Sequence, residues 1–121
     1  MVIDQVKADI EDWLVNFVEV PHPALGDWPP CPFARQSRLR KKYDVRLGTD
    51  LERDLFLFAK KQYLGNNDVV IFAYAPDQYD DAYFNWAVDT MNTSKSFQKR
   101  NLLALADHPD TVETHNGVCF N

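Results

Sequence analysis

From Val2 to Val20 the apolar side chains fall at helical spacing. Ile3, Val6, Ile10, Trp13, Leu14 and Phe17 lie three or four residues apart, with Asp4, Lys7, Glu11 and Asp12 on the other face. The spacing predicts an amphipathic helix that covers a core surface. The pattern then stops. Five of the chain's seven prolines, Pro21, Pro23, Pro29, Pro30 and Pro32, stand within the next twelve residues. Proline fixes φ and removes a backbone donor, so this stretch reads as a stiff loop, neither helix nor central strand.

Proline favours the first helical position, so Pro32 is expected to open a short helix running to about Lys42 and to place Cys31 at its start. Phe33, Ala34 and Leu39 are its expected inward residues. Tyr43, Val45 and Leu47 alternate with Asp44 and Arg46, which predicts a strand with one wet face, ended by Gly48. Thr49-Asp50-Leu51-Glu52 is a capping-box pattern and predicts a helix to Leu64, stopped by Gly65. The continuous apolar run from Val69 to Tyr74 predicts a strand buried on both faces.

Pro76-Asp77 closes that strand and begins the next helix, which carries Asp80 and Asp81 in its first turn, where the helix dipole favours acids. Ala82, Tyr83, Trp86, Ala87 and Met91 are its expected inner stripe, which makes Trp86 an expected core residue. Asn92 to Arg100 is polar and reads as a loop with one helical turn. Leu102 to Ala106 reads as a third apolar strand, closed by Asp107-His108-Pro109. Residues 110–121 are expected to add a short edge strand or to stay loose.

Strands alternating with helices predict an α/β (or α+β) fold: a small three- to four-stranded, mostly parallel sheet with helices packed on it, preceded by an N-terminal helix and a Pro-rich loop. Ligands of such sheets bind at the carboxyl ends of the strands. Those ends are Gly48-Thr49, Ala75-Pro76-Asp77 and Asp107-His108. If the helix after Cys31 packs antiparallel to its strand, Cys31 comes to the same edge as His108.

A chain of 121 residues is sized as a single globular domain over 1–121, and 45% hydrophobic with 26% charged residues is ordinary globular composition. No apolar run reaches membrane-span length, and Asp4 and Asp9 interrupt any leader-like segment, so a cytoplasmic protein is expected. Cys31 and Cys119 are too few for a disulfide framework and read as free thiols; the sequon Asn92-Thr93-Ser94 then carries no glycan.

Net charge is -5, which argues against general nucleic-acid binding. The charge is uneven. Arg35, Arg38, Arg40, Lys41, Lys42 and Arg46 face the single acid Asp44 over twelve residues, a basic strip suited to an acidic protein or a phosphate-bearing ligand.

Three chemistries compete for the candidate residues. A thiol at a helix start is acidified by the dipole and by Arg35, with His108 as base, so Cys31 and His108 are the candidate catalytic pair. Trp28, Arg35, Arg38, Thr49, Asp77 and Asp107 are the candidate binding residues around it. Cys31, His108, His115 and Cys119 are the candidate zinc ligands, and His115 and Cys119 have ligand-like spacing, but no Cys-x-x-Cys is present, and no cofactor is expected. The third reading is a non-enzymatic interaction module using the strip 35–46. Asp80-Asp81 reads as helix-start charge rather than an acid–base pair, and four glycines supply no phosphate loop.

Trp13-Leu14 in an opening helix, then Cys31-Pro32-Phe33-Ala34, then Ala75-Pro76 and His108-Pro109 closing strands, resembles the layout of domain-of-unknown-function family 1415. The resemblance follows nearly the whole chain in layout and few residues in identity, and Asp107 stands where that family has an aromatic. It implies a fold and a candidate site, and no activity. Locally, Cys31-Pro32-Phe33-Ala34-Arg35 with Arg38-Leu39 is similar to the active-site turn of omega-class glutathione transferases and glutaredoxin-like proteins, which implies thiol exchange. The proline-rich segment before Cys31 departs from that pattern.

Overall fold

A computed structural model describes residues 1–60, 64–112, 114–116 and 118–119, without the side chains of residues 115, 118 and 119. The chain is mixed helix and strand and divides into two compact units. The first is Met1–Leu47, Asn66–Ala73 and the segment from Val112; the second is Gly48–Gly65 with Tyr74–Thr111. Among the described residues, no helix is long and apolar enough to cross a membrane.

In the first unit, helix α1 spans Ile3–Trp13 and lies against strand β1, Tyr43–Leu47. Its apolar stripe is Ile3, Val6 and Ile10, continued into a π-helical turn, Leu14–Val18, that buries Leu14 and Val18. The wider turn is closed by the Glu19 N–H on the Leu14 carbonyl at 2.9 Å. Trp13, an expected core residue, is exposed instead.

The proline loop folds on itself through a bridge between His22 and Trp28, with Gly26 and Asp27 both at positive φ. Strand β2, Val69–Ala73, pairs parallel to β1, from Tyr43 opposite Val69 to Leu47 opposite Ala73. A second pair, β3 (Thr114–His115) and β4 (Val118–Cys119), is antiparallel.

Helix α2 of this unit is short, Ala34–Leu39. Pro32 does not open it. Pro32 and Phe33 form a turn in which the Ala34 N–H meets the Cys31 carbonyl at 3.4 Å. The helix closes in a Schellman motif: the Lys42 N–H reaches the Ser37 carbonyl at 2.8 Å and the Lys41 N–H the Arg38 carbonyl at 3.1 Å. Lys41 therefore sits in the left-handed region at φ 55°, where glycine is the usual occupant.

The second unit is built on helices α3 (Leu51–Phe58), α4 (Asp81–Asn92) and α5 (Lys95–Lys99). Asp50, not Thr49, caps α3 by accepting the Arg53 N–H at 2.9 Å. The expected end of this helix falls partly on residues 61–63, which lie outside the described residues; the described helix ends at Phe58. Leu51, Leu55, Ala87, Val88 and Phe97 make the core, with Phe84 and Met91 packed against it. On α4 the inner stripe is thus Tyr83, Phe84, Ala87, Val88 and Met91, while Ala82 is exposed and Trp86 points outward at 57% exposure. Phe97 of α5, expected to lie in a polar loop, is the most buried large side chain among the described residues at 2% exposure.

Two expectations for strands fail. The described residues hold one two-stranded parallel sheet rather than three or four strands in one sheet. Strand β2, expected to be buried on both faces, has its first residue Val69 exposed and the rest half-buried. Among the described residues Leu102–Ala106 pairs with no strand; its polar partner is the side chain of Asn92. The Asn92 amide donates to the Ala104 carbonyl and its oxygen accepts the Ala104 N–H, both at 2.8 Å. One side-chain amide stands where a neighbouring backbone would be.

Candidate functional site

The residues that follow β1 and β2, from Gly48 and from Tyr74 onward, belong to the second unit and are tied to one another there. The Asp54 carboxylate is 5% exposed and is met by the Thr49 N–H at 3.0 Å and the Tyr74 hydroxyl at 2.7 Å. Thr49 is therefore a structural partner. The Tyr74 ring lies so close to Gly48 that a Cβ there would collide with it, which is why glycine ends β1. Burial, and then the bond to Asp54, push the Tyr74 hydroxyl far above its ordinary pKa, so it stays a donor at every physiological pH. Tyr79 accepts the Leu51 N–H on its hydroxyl at 3.0 Å. Asp77 is exposed on the turn between Ala75 and Gln78.

His108 belongs to this unit and is 6% exposed. Its Nδ1 accepts the Asp110 N–H at 3.1 Å, which requires that nitrogen to be unprotonated. Nε2 then carries the proton and donates to the Tyr79 carbonyl at 2.7 Å. Its ring also packs on Phe84, centroids 5.7 Å apart. Both ring nitrogens hold main-chain groups, so neither is left to act as base or metal ligand. This histidine ties the 108–110 turn to the start of α4. Asp107 beside it is exposed.

Cys31 lies in the first unit, partly buried, with its N–H on the Val18 carbonyl at 3.1 Å. The helix starts three residues later, so the orphan amides of its first turn begin beyond the thiol. Cys31 and His108 fall in different units. Among the described residues no three His, Cys, Asp or Glu side chains stand close enough to hold a metal ion. The side chains of His115 and Cys119 lie outside the described residues.

The basic strip is where the first unit presents unsatisfied chemistry. Arg38 is not part of its free face: its guanidinium grips Glu19 through two bonds of 2.7 and 2.9 Å, and the Glu19 side chain is only 5% exposed. That grip holds the Glu19 carboxyl below its usual pKa. Arg46 is likewise paired, with Asp44 at 2.9 Å. Arg35, Arg40, Lys41 and Lys42 are exposed and enter no salt bridge among the described residues.

Helix α2 turns Ser37 inward and presents Arg35, Gln36, Leu39 and Arg40 to solvent, the i, i+4 pairs of one outer face. Phe33 at its start is 72% exposed and Leu39 61%, so both expected core residues lie outside. Trp28 is exposed as well. The signal that sequence reasoning missed is Ser37, the one small polar residue at the inward spacing. No protein-family model, curated protein or solved structure matches the chain.

Proposed function

We propose that this protein is a non-enzymatic interaction module whose surface from Phe33 to Lys42 takes an acidic partner segment that also carries apolar side chains. One observation carries the reading. Four exposed cations, Arg35, Arg40, Lys41 and Lys42, have no salt bridge among the described residues and flank two exposed apolar side chains, Phe33 and Leu39. Apolar anchors supply affinity and the surrounding cations supply steering and register. Lys41 adds support. A lysine in the left-handed position of a helix end is strained, and such strain is retained where the side chain serves a contact.

The test uses a fluorescein-labelled glutamate-rich peptide with interspersed leucines, followed by anisotropy. Saturable binding that weakens as ionic strength rises is expected, because exposed charges are screened beyond about 10 Å at 0.1 M salt. R35E/R40E/K42E is expected to abolish it with an unchanged far-UV spectrum, since all three side chains are exposed. Absence of binding at low salt, or binding unchanged in that variant, overturns the reading. Competition by inorganic phosphate alone, without a leucine requirement, would replace it with simple anion binding.

A further inference from the structure

We infer that the open edge of Leu102–Ala106 pairs with the same segment of a second copy of this chain, antiparallel about a two-fold axis at Ala104. The inference is independent of the acidic-partner reading and lies wholly in the second unit. It begins with backbone direction. The N–H and C=O of Ala104 both point to Asn92, and the Leu102 N–H points to the Phe97 carbonyl at 2.9 Å. Having both groups of one residue on one side is strand geometry, and it turns the groups of the residues on either side to the opposite edge. Those groups, on Leu103 and Leu105, have no hydrogen bond among the described residues. An extended edge with unmade bonds is a template for another strand.

The side chains select the occupant. Leu102, Ala104 and Ala106 pack against the core, while Leu103 is 72% exposed and Leu105 85%. A two-fold at Ala104 sets Leu103 opposite the partner's Leu105, and Leu105 opposite the partner's Leu103. These are the two residues with unmade backbone bonds, so each opposed pair exchanges both N–H···O contacts. The two exposed leucines then cover each other as cross-strand neighbours.

The flanks are complementary as well. Lys99 and Arg100 precede the segment and Asp107 and Asp110 follow it, all exposed. The two-fold brings the basic end of one copy beside the acidic end of the other. A parallel or shifted pairing would lose either the bonds or the charge match. The segment starts cleanly because α5 ends in a Schellman motif with Asn101 at φ 55°.

Sedimentation velocity over a concentration series tests the inference on the full chain. A monomer–dimer equilibrium is expected. L105E and L103K, each at an exposed position, are expected to leave only monomer with unchanged secondary structure. The double variant L103K/L105E is expected to restore the dimer, because each new ammonium faces the partner's new carboxylate. A wild-type chain that stays monomeric at the highest concentration overturns the proposal and leaves the edge to a strand of another protein. A dimer indifferent to L105E overturns it in favour of another interface, and failure of the double variant to recover overturns the register.

Discussion

Replacing Asn92 probes the substitution of a side chain for a strand. In Asn92→Ala the Ala104 N–H and C=O each lose a 2.8 Å partner at a half-buried position. A net hydrogen bond contributes about 1 kcal/mol, and a buried group left unmade costs roughly 1–3 kcal/mol, so two losses predict about 2–4 kcal/mol of destabilisation. Asn92→Asp is nearly isosteric yet sets a carboxylate against the Ala104 carbonyl. At neutral pH it is expected to be at least as damaging as the alanine variant.

Protonation restores a donor in that position, so the folded-state pKa of the new carboxyl lies above its unfolded value. The stabilising form is then present at low pH and lost as pH rises through the folded pKa. The gap between Asn92→Asp and wild type should close on acidification, while the gap for Asn92→Ala should not. Urea unfolding followed by circular dichroism at neutral and acid pH reads both. A loss below about 0.5 kcal/mol in Asn92→Ala, within the range of ordinary surface changes, would refute the clamp. So would an aspartate variant whose deficit ignores pH.

Phe97→Ala, at a fully buried aromatic side chain, is expected to cost about 3–5 kcal/mol in urea unfolding. Trp86→Ala, at 57% exposure, is expected to cost under about 1 kcal/mol by the same measurement, the reverse of what the sequence pattern implies. Because Arg38 lowers the Glu19 pKa, the pair's contribution is present above the ordinary value of 4.5 and lost as pH falls through the lowered one. Arg38→Gln should therefore be less stable than wild type at neutral pH and lose less stability on acidification, measured by denaturation across pH.

The parts of the fold legible in the sequence are those where one apolar period meets one partner. The stripe of α1 and the strand β1 form where their spacings predict, with Ile3, Val6 and Ile10 half-buried and Val45 buried. On α4 the aromatic and aliphatic residues spread over more than one face, so Trp86 looks as inward as Tyr83, Phe84 and Val88, and only packing on α3 and α5 separates them. Phe97 stands alone among polar residues and has no period to read. The Leu102–Ala106 run has a strand's composition, but its partner is an amide twelve residues away, which no local pattern carries. His108 is visible as a candidate; its structural duty depends on the Tyr79 carbonyl, 29 residues back.

Lys41 separates stability from function at the basic surface. Its left-handed conformation costs an L-residue roughly 1–2 kcal/mol, and glycine returns part of that as added freedom of the unfolded chain, about 0.5–1 kcal/mol. Lys41→Gly should therefore stabilise the protein by several tenths of a kcal/mol or more, while the Schellman bonds of Lys41 and Lys42, both made by main-chain N–H groups, persist. If the surface serves only as a solvated helix end, nothing opposes that gain. If it holds an acidic segment, the variant loses one of four cations and binds the glutamate–leucine peptide more weakly, chiefly through slower association. Greater stability with weaker, slower binding is the expected pair of results, from urea unfolding and stopped-flow anisotropy. Unchanged association would detach Lys41 from the site, and unchanged stability would refute the strain.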